Sequence, residues 1–224
     1  MKYEKIGLIL LILIMPALSA AQFYASGPSN VKEFSLTYDD GPAPLTQKLL
    51  DLLKERNVKA SFFVLGEHVK RYPDTVKRAI AEGHEIGCHT YSHKNFYILD
   101  KKPGKEETLK KELDLFEKEF EALKLPRPRL LRMPNGFSKQ WARGIVFRRG
   151  YVMVNWTFGC DWEKIEEGKM TASYIKALKP GAIILLHDGG RDKEKTLRIT
   201  SAILDEAEKK GLKPVTLSGL LKLK

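Results

Sequence analysis

Short apolar runs alternating with longer amphipathic ones restrict this chain to a narrow set of folds. Strand-like runs fall near 33–38, 58–64, 84–88, 129–132, 151–156, 181–186 and 212–217. In the first, Phe34, Leu36 and Tyr38 alternate with Ser35 and Thr37, the period-2 pattern of a strand. The stretches between are helical. Leu45, Leu49, Leu52 and Leu53 form a stripe at 3.6-residue spacing, and a helix over about 73–82 ends at Gly83, where a left-handed glycine belongs. A long charged helix over about 105–124 carries Leu109, Leu113, Phe116 and Phe120 on one side. Further helices are expected at about 138–149, 171–178 and 192–210, with Gly150 and Gly211 just past two of them. This alternation predicts an α/β fold with a parallel sheet, open or closed into a barrel. A chain of 224 residues suits one such domain.

The first 32 residues read differently. Lys2, Glu4 and Lys5 precede an apolar run from Ile6 to Leu18, broken by Gly7 and Pro16 and followed by Ser19-Ala20-Ala21. That is the layout of a secretory signal over 1–21, and the run is shorter than the ~20 apolar residues of a membrane-spanning helix. An uncleaved anchor is the alternative, so the protein is expected to be secreted or attached at the cell surface. Residues 22–32 form a lead-in segment and 33–224 the folded domain.

Lysine and arginine number 39 against 28 acidic residues, a formal charge of +11 that falls to +10 without residues 1–21. The balance favours anionic cell-surface polymers or a membrane surface as neighbours. No stretch interleaves basic and aromatic residues, so nucleic acid is not an expected partner. Cys88 and Cys160 form no C-x-x-C motif and read as free, buried thiols.

The polar residues are placed systematically. Asp39 and Asp40 follow the first strand, His89 and His93 the third, Arg132 the fourth, Asp161 the fifth and His187-Asp188 the sixth. All lie at C-terminal strand ends, the edge where βα loops converge and active sites are built. One such residue is ordinarily a cap or a loop hydrogen-bond partner; five strand ends together make a pattern. Successive strand side chains point to opposite sides, so Asp39 and Asp40 should take separate jobs. Two carboxylates this close also need a positive partner. His89 and His93, four apart, are spaced as one helical turn, so both can face one point. Two imidazoles and a carboxylate make a three-ligand site with room for water, the usual arrangement of catalytic zinc. One aspartate would then serve the metal and the other accept a proton from water. His187 is either a proton donor to a leaving group or a satisfied structural histidine. Arg132 needs an anion, and the metal-free aspartate would provide it.

These residues resemble the polysaccharide deacetylase family, carbohydrate esterase family 4 or NodB-homology domain, which bears five short motifs in fixed order. The first, T-F-D-D-G-P, reads Thr37 to Pro42 with Tyr38 for Phe; the second, H-[ST]-x-x-H, reads His89 to His93. The third, R-x-P-[PY]-G, reads Arg132-Met133-Pro134-Asn135-Gly136. Of the fourth, D-x-x-D-W, Asp161-Trp162 remain, and the fifth, L-x-H, is Leu185-Leu186-His187. All five in order are far more specific than any one.

The resemblance implies a single distorted (β/α)7-type barrel, with the site at the C-terminal ends of the strands and 33–224 as its catalytic domain. It implies hydrolysis of N-acetyl groups on an N-acetylated glycan. Asp40, His89 and His93 would hold one divalent metal ion, zinc first, with cobalt, nickel or manganese also accepted by such ligands. Asp39 would be the general base, tuned by Arg132, and His187 the general acid, tuned by Asp161. Trp162 and Leu185 would line the acetyl-methyl pocket and the backbone N–H of Asn135 would donate to the oxyanion. Hydrolysis of small cyclic amides or imides on the same barrel, or a catalytically inactive glycan-binding protein, are the rival readings. The glycan and the oligomeric state are not written in the sequence.

Overall fold

The computed structural model describes residues 23–190 and 194–223; the expected export signal, residues 1–21, lies outside them. Among the described residues no helix is long and apolar enough to cross a membrane. The chain runs through β1 (Phe23–Tyr24), β2 (Glu33–Gly41), α1 (Pro44–Glu55), β3 (Ser61–Val64), α2 (Gly66–Arg71), α3 (Pro73–Ala81) and β4 (Glu85–Cys88). It continues with α4 (Phe96–Leu99), α5 (Lys105–Ala122), β5 (Leu130–Leu131), a 3-10 turn (Pro134–Gly136), α6 (Gln140–Arg148) and β6 (Val152–Val154). Last come α7 (Glu167–Ala177), β7 (Ile183–His187), α8 (Glu194–Lys209), β8 (Lys213–Pro214) and α9 (Leu217–Leu221).

The strands form one curled sheet in the order β1-β6-β5-β4-β3-β2-β7, with β8 pairing the start of β2. Every pairing is parallel. Between the β6 side and β7 the barrel is closed by irregular backbone: Phe158 bridges Ile184, and Thr157 N–H donates to the Ile183 carbonyl at 2.8 Å. This is the expected distorted barrel.

Strand alternation divides the core into two layers. Phe34, Leu36 and Tyr38 of β2, with Phe62 and Val64 of β3, face the helices and pack with Leu49 and Leu53 of α1 and Ile199 of α8. The intervening residues face the barrel axis: Phe63, Leu130, Val152, Val154 and Ile183 fill it, and Leu217 and Leu220 of α9 pack with them. On β2 the same inward register carries Ser35, Thr37 and Asp39, all buried. The stripe Leu109, Leu113, Phe116 and Phe120 seats α5 on the outer layer as its spacing predicts.

Several elements differ from the sequence reading. The lead-in contributes strand β1, whose two residues pair with Met153 and Val154. The stretch 212–217 yields two strand residues and the start of α9. Cys88 and Cys160, by contrast, are free and buried as expected.

Candidate active site

Asp39 and Asp40 part company where β2 ends. The register against β3 shifts between Asp39 and Gly41, and Asp40 takes φ 70°, a left-handed conformation uncommon for a side-chain-bearing residue. Its carbonyl accepts from His68 Nδ1 at 2.8 Å. Asp39 stays on the inner face and points at Arg132, whose Nη1 donates to Asp39 Oδ1 at 2.7 Å and to Thr37 Oγ1 at 2.9 Å. Arg132 Nη2 donates to the Asn155 carbonyl at 3.0 Å, and the guanidinium lies over the Phe63 ring, 4.2 Å from its centroid. Burial pushes the Asp39 carboxyl above the ordinary carboxylate value; Arg132 and then His187 pull it back.

Asp40 instead turns toward two imidazoles. Its Oδ1 lies 3.5 Å from His89 Nε2 and 3.4 Å from His93 Nε2. His89 Nδ1 donates to the Arg132 carbonyl at 2.7 Å, which leaves the Nε2 lone pair facing Asp40. Burial lowers the His89 pKa to about 3, so the ring is neutral at physiological pH and ready to ligate. Asp40 Oδ1 is buried and, among the described residues, accepts no hydrogen bond. An anionic oxygen facing the lone pair of a neutral imidazole is stable only with a positive charge between them. The ligand atoms of Asp40, His89 and His93 lie within 4.8 Å of one another, so this donor set fits a divalent ion.

The two histidines do not share a helical turn, as their spacing had implied. Residues 89–95 are irregular, with Thr90 at φ 68° and His93 at φ 53°. The rings meet, centroids 5.1 Å apart, because the loop folds back.

Across the cleft, His187 is the register partner of Asp39 on β7. Its Nδ1 hydrogen-bonds Asp161 Oδ1 at 2.8 Å, and its N–H donates to Asp161 Oδ2 at 2.9 Å. Burial alone would lower the His187 pKa; the Asp161 hydrogen bond and charge, helped by Asp39 and Asp40, outweigh it and the value is raised. Trp162 meets the His187 ring edge-on at 5.5 Å. Asp39, Asp40, His89, His93, His187, Asn135, Trp162 and Leu185 all line one cleft of about 450 Å³, and Trp156 completes it. Arg132 and Asp161 sit behind it, fully buried. Every candidate residue named from the sequence therefore converges here.

The sequence reading did not single out the residues that hold this arrangement. His68 fixes the Asp40 backbone. The Tyr174 hydroxyl accepts from the N–H groups of Cys160 and Asp161 and donates to the Leu185 carbonyl at 2.8 Å, so it ties the Asp161 loop to β7. Lys195 Nζ donates to the Asp161 carbonyl at 2.7 Å. A tyrosine and a lysine on otherwise ordinary helices give no signal in one sequence.

A curled parallel sheet bearing a His-His-Asp cluster and two buried acid–base pairs at its C-terminal edge has the layout of a metal-dependent hydrolase. A family model described as polysaccharide deacetylase matches residues 26–154. The peptidoglycan-N-acetylglucosamine deacetylase of Bacillus cereus is 36% identical over 201 residues, covering 88% of this chain and 92% of that protein. A chitooligosaccharide deacetylase of Bradyrhizobium sp. is 30% identical over 196 residues, covering 82% and 88%. The crystal structure of the Bc1960 peptidoglycan N-acetylglucosamine deacetylase, bound to 4-naphthalen-1-yl-N-oxidanyl-benzamide, matches with TM-score 0.81 and 31% identity over 90% of this chain and 94% of that one. This chain belongs to the polysaccharide deacetylase family. The family match ends before Asp161 and His187, whose pairing rests on the geometry above.

Proposed function

We propose that the chain hydrolyses N-acetyl groups from the amino sugars of a glycan, with one divalent ion held by Asp40, His89 and His93. Two imidazoles and a carboxylate favour zinc; cobalt, nickel and manganese are weaker candidates. One observation carries the reading: the ligand cluster, the Asp39–Arg132 pair and the His187–Asp161 pair meet at a single cleft.

When bound, such an ion polarises the acetamide carbonyl and lowers the pKa of water. Arg132 occupies Asp39 Oδ1, so Oδ2, 3.7 Å from His89 Nε2, is the oxygen free to take the proton from the attacking water. As the water oxygen joins the acetyl carbon, the carbonyl oxygen gains charge. The Asn135 N–H, held at φ 57° on the cleft wall and engaged by no hydrogen bond among the described residues, donates to it. Trp162 and Leu185 enclose the methyl group. Asp161 holds His187 Nδ1, which leaves Nε2 to protonate the amide nitrogen as the C–N bond breaks. Acetate and a free amine leave.

Export directed by residues 1–21 would bring a chain of formal charge +10 once they are removed against anionic surface polymers; a secreted protein whose N-terminus is not near residue 22 or 23 argues against cleavage there. The proposed reaction is tested by acetate release from chitin-like, peptidoglycan and poly-N-acetylglucosamine oligomers, with metal-stripped protein as control. Release that depends on metal supports the reading. No release, with turnover of cyclic imides, transfers the site to the rival substrate class, and neither activity leaves a binding protein.

A further inference from the structure

Each residue of the ion site is anchored from behind, but by different means. His89 is oriented through its own ring by the Arg132 carbonyl, and Asp40 through its carbonyl by His68. His93 has no such ring partner among the described residues. What fixes it must act on the loop that carries it, where Thr90 and His93 itself adopt left-handed backbone that residues with a side chain rarely take.

That loop is gripped from two sides. On one, Gly66 N–H donates to the Thr90 carbonyl at 3.0 Å and Glu67 N–H to the Tyr91 carbonyl at 3.1 Å, while the Tyr91 ring fills the space a Gly66 side chain would need. On the other stands Glu112, 2% exposed, on the buried face of α5. Its Oε2 accepts from the N–H groups of Tyr91, at 3.1 Å, and Ser92, at 2.8 Å; its Oε1 accepts the Ser92 hydroxyl at 2.8 Å. Lys94 Nζ lies 3.8 Å from the same Oε1. Glu112 thus bonds Ser92, the residue immediately before His93, twice and Tyr91 once, and lies beside Lys94, the residue after it. Among the described residues, the hydrogen bonds and ion pair of this buried carboxylate all go to this loop.

We propose that Glu112 is a positioning residue for the ion site: by holding Tyr91 and Ser92 it sets His93 Nε2 at the distance from Asp40 and His89 that a divalent ion requires. The inference rests on the Asp40, His89 and His93 reading and extends it to a residue on a helix that contributes no ligand. Removing the carboxylate frees two part-buried N–H groups and lets the loop leave its left-handed geometry, so the third ligand is presented in many positions instead of one. Outer partners of metal ligands typically alter affinity by roughly 10–100-fold, and that is the loss expected here.

The test is zinc affinity, measured by competition with a chromophoric chelator, for the wild type, Glu112→Ala and Glu112→Gln. Glutamine keeps one oxygen for the two N–H groups and offers its amide to the Ser92 hydroxyl, so it should restore most of the affinity that alanine loses. Glu85→Ala serves as the stability control, because Glu85 bonds Ser61 and Ser218 away from the cleft; it should lower the melting temperature and leave zinc affinity alone. Should Glu112→Ala not fold, Glu112→Asp, whose shorter arm cannot span both N–H groups, takes its place with the same expected loss. Wild-type zinc affinity in the alanine variant, or in the aspartate variant where alanine does not fold, overturns the proposal while the ion site stands. Absence of zinc binding by the wild type overturns the ion site itself, and the proposal with it.

Discussion

Arg132 Nη1 sits 2.7 Å from Asp39 Oδ1, across 93 positions of chain, with the two side chains only 0% and 3% exposed. An ion pair so far from solvent ties stability to catalysis, since each charge is tolerable only beside the other. Arg132→Met should therefore destabilise the fold by about 3–5 kcal/mol, the usual consequence of leaving one buried charge alone. It should also move the acidic limb of the kcat/KM profile to higher pH, because Arg132 is the leading influence that lowers the Asp39 pKa. Denaturant melts together with a pH–rate profile check this; a variant as stable as the wild type contradicts it.

The opposite limb belongs to His187. A general acid works while protonated, and Asp161 raises the pKa of this one against the effect of burial. Asp161→Asn removes the charge but retains an acceptor, so the His187 proton should be lost at lower pH and the basic limb of kcat/KM should move down. An unmoved basic limb would remove His187 from the proton-donor role.

His84 offers a stability test remote from the chemistry. Its Nδ1 accepts the Ala60 N–H at 3.1 Å, which makes the ring neutral, and burial, then Lys59, holds its pKa at about 4 against the ordinary 6.5. The folded value is the lower one, so the unfolded chain takes up the proton first. The contribution is complete above pH 6.5 and drains away as pH falls toward 4, amounting to no more than about 3 kcal/mol. Urea melts between pH 4 and 7 should show this slope, and His84→Gln should flatten it.

Gly136 has φ 68°, and a Cβ there would stand 2.7 Å from the Trp156 ring. Gly136→Ala should cost about 1–2 kcal/mol in backbone strain and push Trp156 off the cleft wall. A fall in kcat/KM accompanied by a shifted tryptophan emission is the expected result; unchanged activity would mean that the wall is not shaped by this turn.

Much of this arrangement was legible in the sequence. The alternation of strand and helix patterns gave the parallel sheet, and polar residues at successive strand ends marked the cleft, because a strand end fixes where a side chain must go. The opposite fates of Asp39 and Asp40 also followed from strand geometry, with the bulge at Asp40 completing the divergence. The rest had no local signature. A strand of two residues such as Phe23–Tyr24 has no period to read and exists through its pairing with β6. The four-residue spacing of His89 and His93 imitates a helical turn, whereas left-handed backbone at Thr90 and His93 does the work. Glu112 falls in the apolar stripe of α5, between Leu109 and Phe116; an acid in that row was a signal, although its partners lie about twenty positions away.

The central claim is that Asp39 moves a proton at a site whose ion is held by its neighbour Asp40. Asp39→Asn separates the two functions, and the decisive measurement is metal content and acetate release on the same preparation. Full metal occupancy with turnover reduced by ~10²-fold or more is the expected result. Acetate release at the wild-type rate from the metal-loaded Asp39→Asn protein would contradict it.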